Sequence, residues 1–189
     1  MARKNFPSLN PLILHHLSCD PKDKQETPWV TYHDEKYHFD INYISDLPIR
    51  TLQNFSGSLS YAVDFGGSYY DAPDGTLSVI VEPTETPTTE GWIEAQNKSL
   101  RENLLSRDFP KDHPISQFTI EKRITIAGYP AIVINNTSWS NREKIAVFIK
   151  DGNLFQIHGN SSSFLLCEDA ETINREYERV WNSFRFEEQ

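Results

Sequence analysis

The chain has 189 residues, enough for one domain with a full core and a short extension and too few for two ordinary domains. Hydrophobic residues make up 38% and aromatics 12%, with four Trp, eight Tyr and eleven Phe, a richer supply of apolar mass than a disordered chain carries. Against 27 acidic residues stand 18 basic ones, and the resulting net charge of −9 argues against nucleic acid as a partner and fits a soluble surface.

Residues 1 to about 28 differ from the rest. Arg3 and Lys4 are followed by a weakly apolar stretch, Leu9 to Leu17, interrupted by Pro11, His15 and His16, then by Cys19 and the polar run DPKDKQETP. A basic start, an apolar middle and a Cys before a polar linker is the layout of a bacterial lipoprotein signal. The two histidines sit where small or aliphatic residues belong, so a flexible tail is the preferred reading. In that case the protein is soluble or cytoplasmic as the chain stands. If Cys19 is the lipidation site of a working signal, the protein is instead tethered to a membrane in the bacterial cell envelope.

The folded domain is expected over residues 29–187. WVTYHDEKYHFDINYI reads as two strands around a turn at Asp34–Glu35, with Val30 and Tyr32 alternating on the first and Tyr37, Phe39, Ile41 and Tyr43 on the second. DLPIRTLQNF, limited by Pro48, reads as an irregular or single-turn helical connection. SLSYAVDF (58–65) and TLSVIVEP (76–83) read as strands separated by the loop GGSYYDAPDG, whose Gly66–Gly67 and Pro73–Asp74–Gly75 favour turn geometry.

After Pro83 and Pro87 the period changes. Thr89 is placed to cap a helix with Glu90 in its first turn, and Trp92, Ile93, Leu100 and Leu104 mark its buried stripe up to Phe109–Pro110. Ser116 to Ile126 is a long strand, turned at Gly128–Tyr129–Pro130 into Ala131–Thr137. Lys144–Lys150 and Asn153–Gly159 flank Asp151–Gly152, the strongest short-range hairpin signal in the chain. Ala170, Ile173, Tyr177, Val180, Trp181 and Phe184 then fall on one face of a closing helix.

Strands joined mostly by hairpins with two helices exclude a doubly wound parallel sheet, which alternates strand and helix throughout. The expected class is α+β: a mostly antiparallel central β-sheet with helices on its faces.

These elements resemble a known family. The opening YHDEKYHFDINYISDLP, the mid-chain helix after a strand, the hairpins ITIAGYPAIVI and KDGNLFQI and the closing helix ending in SFRF are similar to PsbP-like domains over roughly residues 29 to 186. The resemblance is a pattern of elements rather than an invariant motif. It implies an α/β/α sandwich and a binding or scaffold role without an established shared catalytic site. The family spans photosystem II extrinsic proteins, DcrB-type lipoproteins, mycobacterial envelope lipoproteins, Ran-binding proteins of the Mog type and effector chaperones. No residues here carry over as a Ran-binding or photosystem-binding surface, and fold does not choose a partner.

Candidate chemistry is sparse. His33 and His38 flank the first turn with Asp34 and Glu35 between them, but the spacing matches no zinc pattern, so no metal is expected. His158 alternates with Gln156 beside Phe155 and Ile157 and is expected to face solvent. No G-x-S-x-G elbow occurs, Cys167 has no suggestively placed His, and Asp169 reads more simply as a helix cap than as a base. No cofactor is implied. The features that suggest recognition are Tyr69, Tyr70 and Asp71 in the Gly-flanked loop, and Trp139 in SWSN, because large aromatic contact area on a free backbone suits binding.

The expectation is therefore a non-enzymatic protein-binding or scaffold domain. Its rivals are a structural envelope lipoprotein and a small hydrolase or ligand-processing enzyme, which needs a deep site where ionisable groups converge.

Overall fold

The computed structural model describes residues 28–55, 59–66, 77–105, 117–136, 143–160 and 170–187. Cys19, Tyr69, Tyr70, Asp71, Trp139 and Cys167 lie outside these residues, and so does the expected tail up to residue 27; its last residue, Pro28, is described, and its carbonyl accepts from Ser45 N–H at 3.0 Å.

Seven strands form the main sheet: β3 (Ile49–Gln53), β4 (Tyr61–Phe65), β5 (Leu77–Pro83), β6 (Phe118–Ile126), β7 (Tyr129–Asn136), β8 (Glu143–Lys150) and β9 (Asn153–Asn160). Their order is β3-β4-β5-β9-β8-β7-β6, and every neighbouring pair is antiparallel. A second sheet of order β1-β2-β10 joins β1 (Trp29–Asp34), β2 (Phe39–Ile44) and β10 (Arg185–Phe186). Helix α1 (Thr89–Leu105) packs on β6, β7 and β8, and helix α2 (Ala170–Ser183) packs on β2.

Alternation sorts the side chains of the main sheet onto two faces. One face carries Tyr61, Val63, Phe65, Leu77, Val79, Val81, Phe148, Phe155 and Ile157 and is closed by Phe39 and Ile41 of β2 and by Tyr177, Val180, Trp181 and Phe184. Its centre is aromatic. Phe148 and Phe155, opposite each other on β8 and β9, stack with ring centroids 5.1 Å apart, and Phe184 meets Phe148 edge-on at 5.5 Å. The other face packs Trp92 and Ile93 of α1 on Ile132, Ile134, Ile145, Val147 and Leu154.

Local chemistry explains the ends of the elements. The Thr88 side chain accepts a hydrogen bond from Gly91 N–H at 3.1 Å and its carbonyl accepts from Trp92 N–H, so Thr88, one residue before the expected Thr89, caps α1. Asn97 of α1 exchanges two hydrogen bonds with the backbone of Phe118, at 3.1 and 2.8 Å, and pins the helix to the start of β6.

Three expectations are corrected. DLPIRTLQNF contains an edge strand, β3, and not a helical turn or irregular link. Pro48 stands just before β3, where it removes no ladder bond, and Pro48 C=O accepts from Gly66 N–H at 2.8 Å. The turn between β6 and β7 is Ala127–Gly128, with Tyr129 and Pro130 already paired to Ile126 and Thr125. His158 does not simply face solvent: it is half-buried, its Nε2 lies 3.3 Å from Gln156 Oε1, and Gln156 itself is buried.

Candidate functional site

One end of the sandwich gathers three hairpin turns and the close of the chain. The β1–β2 turn supplies Lys36, Tyr37 and His38, the β6–β7 turn Ala127 and Tyr129, and the β8–β9 turn Lys150 and Asp151. Arg185, Phe186 and Glu187 arrive from β10 and just beyond. Together they line a cleft of about 650 Å³, within the size range of small-ligand and recognition clefts.

The turns hold their lining residues through unusual backbone geometry. Asp151 and Gly152 have φ of 51° and 73°, the two positive values that a two-residue hairpin turn between twisted strands requires. Ala127 and Gly128 repeat the arrangement at 50° and 84°, with Ala where Asn or Asp is the easier choice, and His38 sits at 54°. Three of the four non-glycine residues with positive φ among the described residues therefore line this one cleft.

Asp34 organises the first turn from beneath. Its buried carboxylate accepts from the backbone N–H of Lys36 at 3.1 Å and of Tyr37 at 2.7 Å, and from the hydroxyls of Tyr32 and Tyr61. Burial, with the neighbouring Asp34 charge second for Tyr32 and Tyr37, raises the phenol pKa values of Tyr32, Tyr37 and Tyr61, so these phenols stay protonated. For Tyr61 the hydrogen bond to Asp34 adds to the effect of burial.

Aromatic rings form the floor and cations sit over them. The Lys36 ammonium lies 4.5 Å from the Tyr61 ring centre and 5.2 Å from that of Tyr37. The Lys150 ammonium lies 4.8 Å from Phe186 and 5.9 Å from Tyr129, and it also pairs with Asp151, whose hydrogen bond raises the lysine pKa. At the rim, Arg185 Nε donates to Asp40 at 2.8 Å. Asp40 is held below the usual carboxylate range by Arg185 first and His33 second.

His33 and His38 do come together, through acids other than the two between them. His33 Nδ1 is 3.0 Å from Asp40 and 3.5 Å from Glu187, and His38 Nδ1 is 3.8 Å from the same Glu187. The hydrogen bond to Asp40 raises the His33 pKa. Asp34 turns inward instead, and no three His, Cys, Asp or Glu among the described residues are arranged to hold a metal ion.

Tyr69, Tyr70, Asp71 and Trp139 fall on segments that leave the sheet at Phe65/Leu77 and Asn136/Glu143. Register places both strand ends at the opposite end of the sheet from the cleft. Sequence reasoning missed the cleft because its lining residues are scattered among four segments. The available signal was that Lys-Tyr-His, Ala-Gly-Tyr and Lys-Asp-Gly all stand at hairpin turns.

No family model matches the chain, and no curated protein does. Among solved structures, it is similar to the cyanobacterial PsbP protein (CyanoP) from Synechocystis sp. PCC 6803, at 15% identity and a TM-score of 0.53. That match covers 90% of this chain and 98% of the other. The fold is PsbP-like. At that identity the likeness concerns the backbone alone, and the PsbP-like sandwich is the frame on which the cleft is built.

Proposed function

We propose that this PsbP-like chain is a non-enzymatic binding domain whose partner is another protein, and that the cleft at the turn end is its recognition surface. The observation that carries the proposal is the assembly of one concave, aromatic-floored surface from three tight turns and the last strand, each fixed by positive-φ residues, buried carboxylate bonds or ion pairs. Rigid aromatic area edged by charge is what recognition surfaces use. Most ionisable groups of the cleft are already paired, Lys150 with Asp151 and His38 with Glu187 within it and Arg185 with Asp40 just outside it. That favours holding a partner over activating a nucleophile.

A photo-crosslinking residue in place of Tyr129, in the full chain in its native host, tests this. The expected result is a discrete protein adduct that is missing when the same group replaces Asp46, which is exposed beyond the far end of β2. Adducts at both positions alike, or turnover in a substrate screen that a Tyr129 change abolishes, would remove the proposal. An adduct obtained only from Tyr70 or Trp139 would move the interface to the segments that carry them.

A further inference from the structure

We infer that the cleft receives a carboxylate side chain of the partner, Asp or Glu with an apolar neighbour, between Lys36 and Lys150; this rests on the protein-binding reading above.

The charges decide it. The chain as a whole is strongly acidic, at −9, yet the cleft lining carries Lys36, Lys150 and Arg185 against Asp151 and Glu187. Arg185 is taken by Asp40 from outside the lining, and Asp151 offsets Lys150. Lys36 has no carboxylate within ion-pair distance among the described residues, and its ammonium is held by ring faces only. One uncompensated ammonium beside a partly compensated one matches a singly charged guest. A phosphate, with its larger charge and three acceptor oxygens, is served by arginine clusters, and the arginine here is already occupied.

Geometry selects the neighbour of that carboxylate. Lys36 and Lys150 each stand over aromatic rings, so their positions are held before a guest arrives and little ordering cost remains. Below them Tyr37, Tyr129 and Phe186 are only partly buried, leaving apolar area for a side chain next to the acid. The long-range repulsion of an acidic chain for an acidic peptide is screened within about 10 Å at ordinary salt, and contact with the lysines is not.

The test titrates the full chain, by amide NMR, with an N-acetylated, C-amidated hexapeptide alternating Glu and Leu, beside its Gln/Leu counterpart and inorganic phosphate. The expected result is shifts at the Gly128 and Gly152 amides, with the Glu peptide bound about tenfold tighter than the Gln peptide and phosphate weaker than both. Lys36→Gln weakens the Glu peptide about threefold, Lys36→Arg restores it, and raising salt from about 0.1 to about 0.5 M weakens it in the parent. Equal binding of the Gln peptide, shifts confined to other turns, or no binding overturns the inference, and tighter phosphate reassigns the guest. Failure of the peptides while the Tyr129 adduct persists removes only the carboxylate. Loss of the adduct removes the binding function with it.

Discussion

The two faces of the main sheet are built from the same seven strands, yet they are held together by different physics. The face under α2 is continuous and aromatic: Phe148, Phe155, Phe184 and Phe186 meet one another edge-on or stacked, and Tyr177 stacks on Trp181 at 5.7 Å. The face under α1 changes character along a single cross-strand row. Read from β3 to β6 by register, the row runs Arg50, Asp64, Ser78, His158, Ile145, Ile134, Ile120. Helix α1 packs on Ile145 and Ile134 of it, and Ile120 at the far edge is exposed. In the polar half, fully buried Asp64 accepts from Arg50 at 2.7 and 2.8 Å and from the Ser78 hydroxyl. Away from α1, these buried polar groups persist by satisfying one another, and the penalty for breaking such a set differs from that for emptying an apolar one.

The contrast is broken most directly at Trp181 and at Arg50. Trp181→Ala should cost about 3–5 kcal/mol by leaving a cavity under α2, a large share of a domain's stability; a denaturant midpoint close to the parent's would show that the helix does not seal this face. Arg50→Met should cost a comparable amount, about 3–5 kcal/mol, because buried Asp64 loses the guanidinium that pairs with it. The double change Arg50→Met with Asp64→Leu should recover most of that loss, a rescue that no second change offers at Trp181. Failure of the rescue would mean that the polar row matters for packing and not for charge.

A finer probe is Gly159. A Cβ there would come within 1.9 Å of the Tyr177 ring, whose hydroxyl donates to the Gly159 carbonyl at 2.9 Å. Gly159→Ala should push the ring away and destabilise by about 1–3 kcal/mol through overpacking, and thermal melting beside Tyr177→Phe separates that displacement from loss of the hydrogen bond. If Gly159→Ala melts with the parent, the aromatic face is looser than its stacking indicates.

The smallest expected effect concerns how the strands of the β1-β2-β10 cover are held to one another. His33 has a raised pKa, so its contribution is fully present below the ordinary imidazole value of 6.5 and is lost as pH rises through the folded value. Asp40 has a lowered pKa, so its contribution is present above the ordinary value of 3.8 and is lost as pH falls through the folded value. The pair therefore supports the cover most between those two ordinary values. Melting curves of the parent and His33→Ala should differ at pH 5 and converge at pH 8; a constant gap across that range would assign His33 a packing role instead.

Much of the secondary structure was legible because local periodicity and turn chemistry agree with the fold. The Asp151–Gly152 turn falls where Asp-Gly predicts it, and Tyr177, Val180 and Trp181 bury as the helical stripe requires. Strand β3 was not legible: it lies at a sheet edge, exposes Ile49, Thr51 and Gln53, and so shows no apolar run. His158 was misjudged because alternation tells which face a side chain joins and not what covers that face.

By itself, the sequence pointed to a mostly antiparallel sheet with helices on its faces and to the PsbP-like arrangement, since hairpin turns and amphipathic periods are short-range properties. Which strands become neighbours, and therefore that Asp64 meets Arg50 and Ser78, was decided only by tertiary structure. So was the gathering of Lys36, Tyr129, Lys150 and Phe186 around one cleft. The reason is physical: these groups lie up to 150 positions apart in the chain, between Lys36 and Phe186, and no local preference encodes a meeting that only the packing of two sheets brings about.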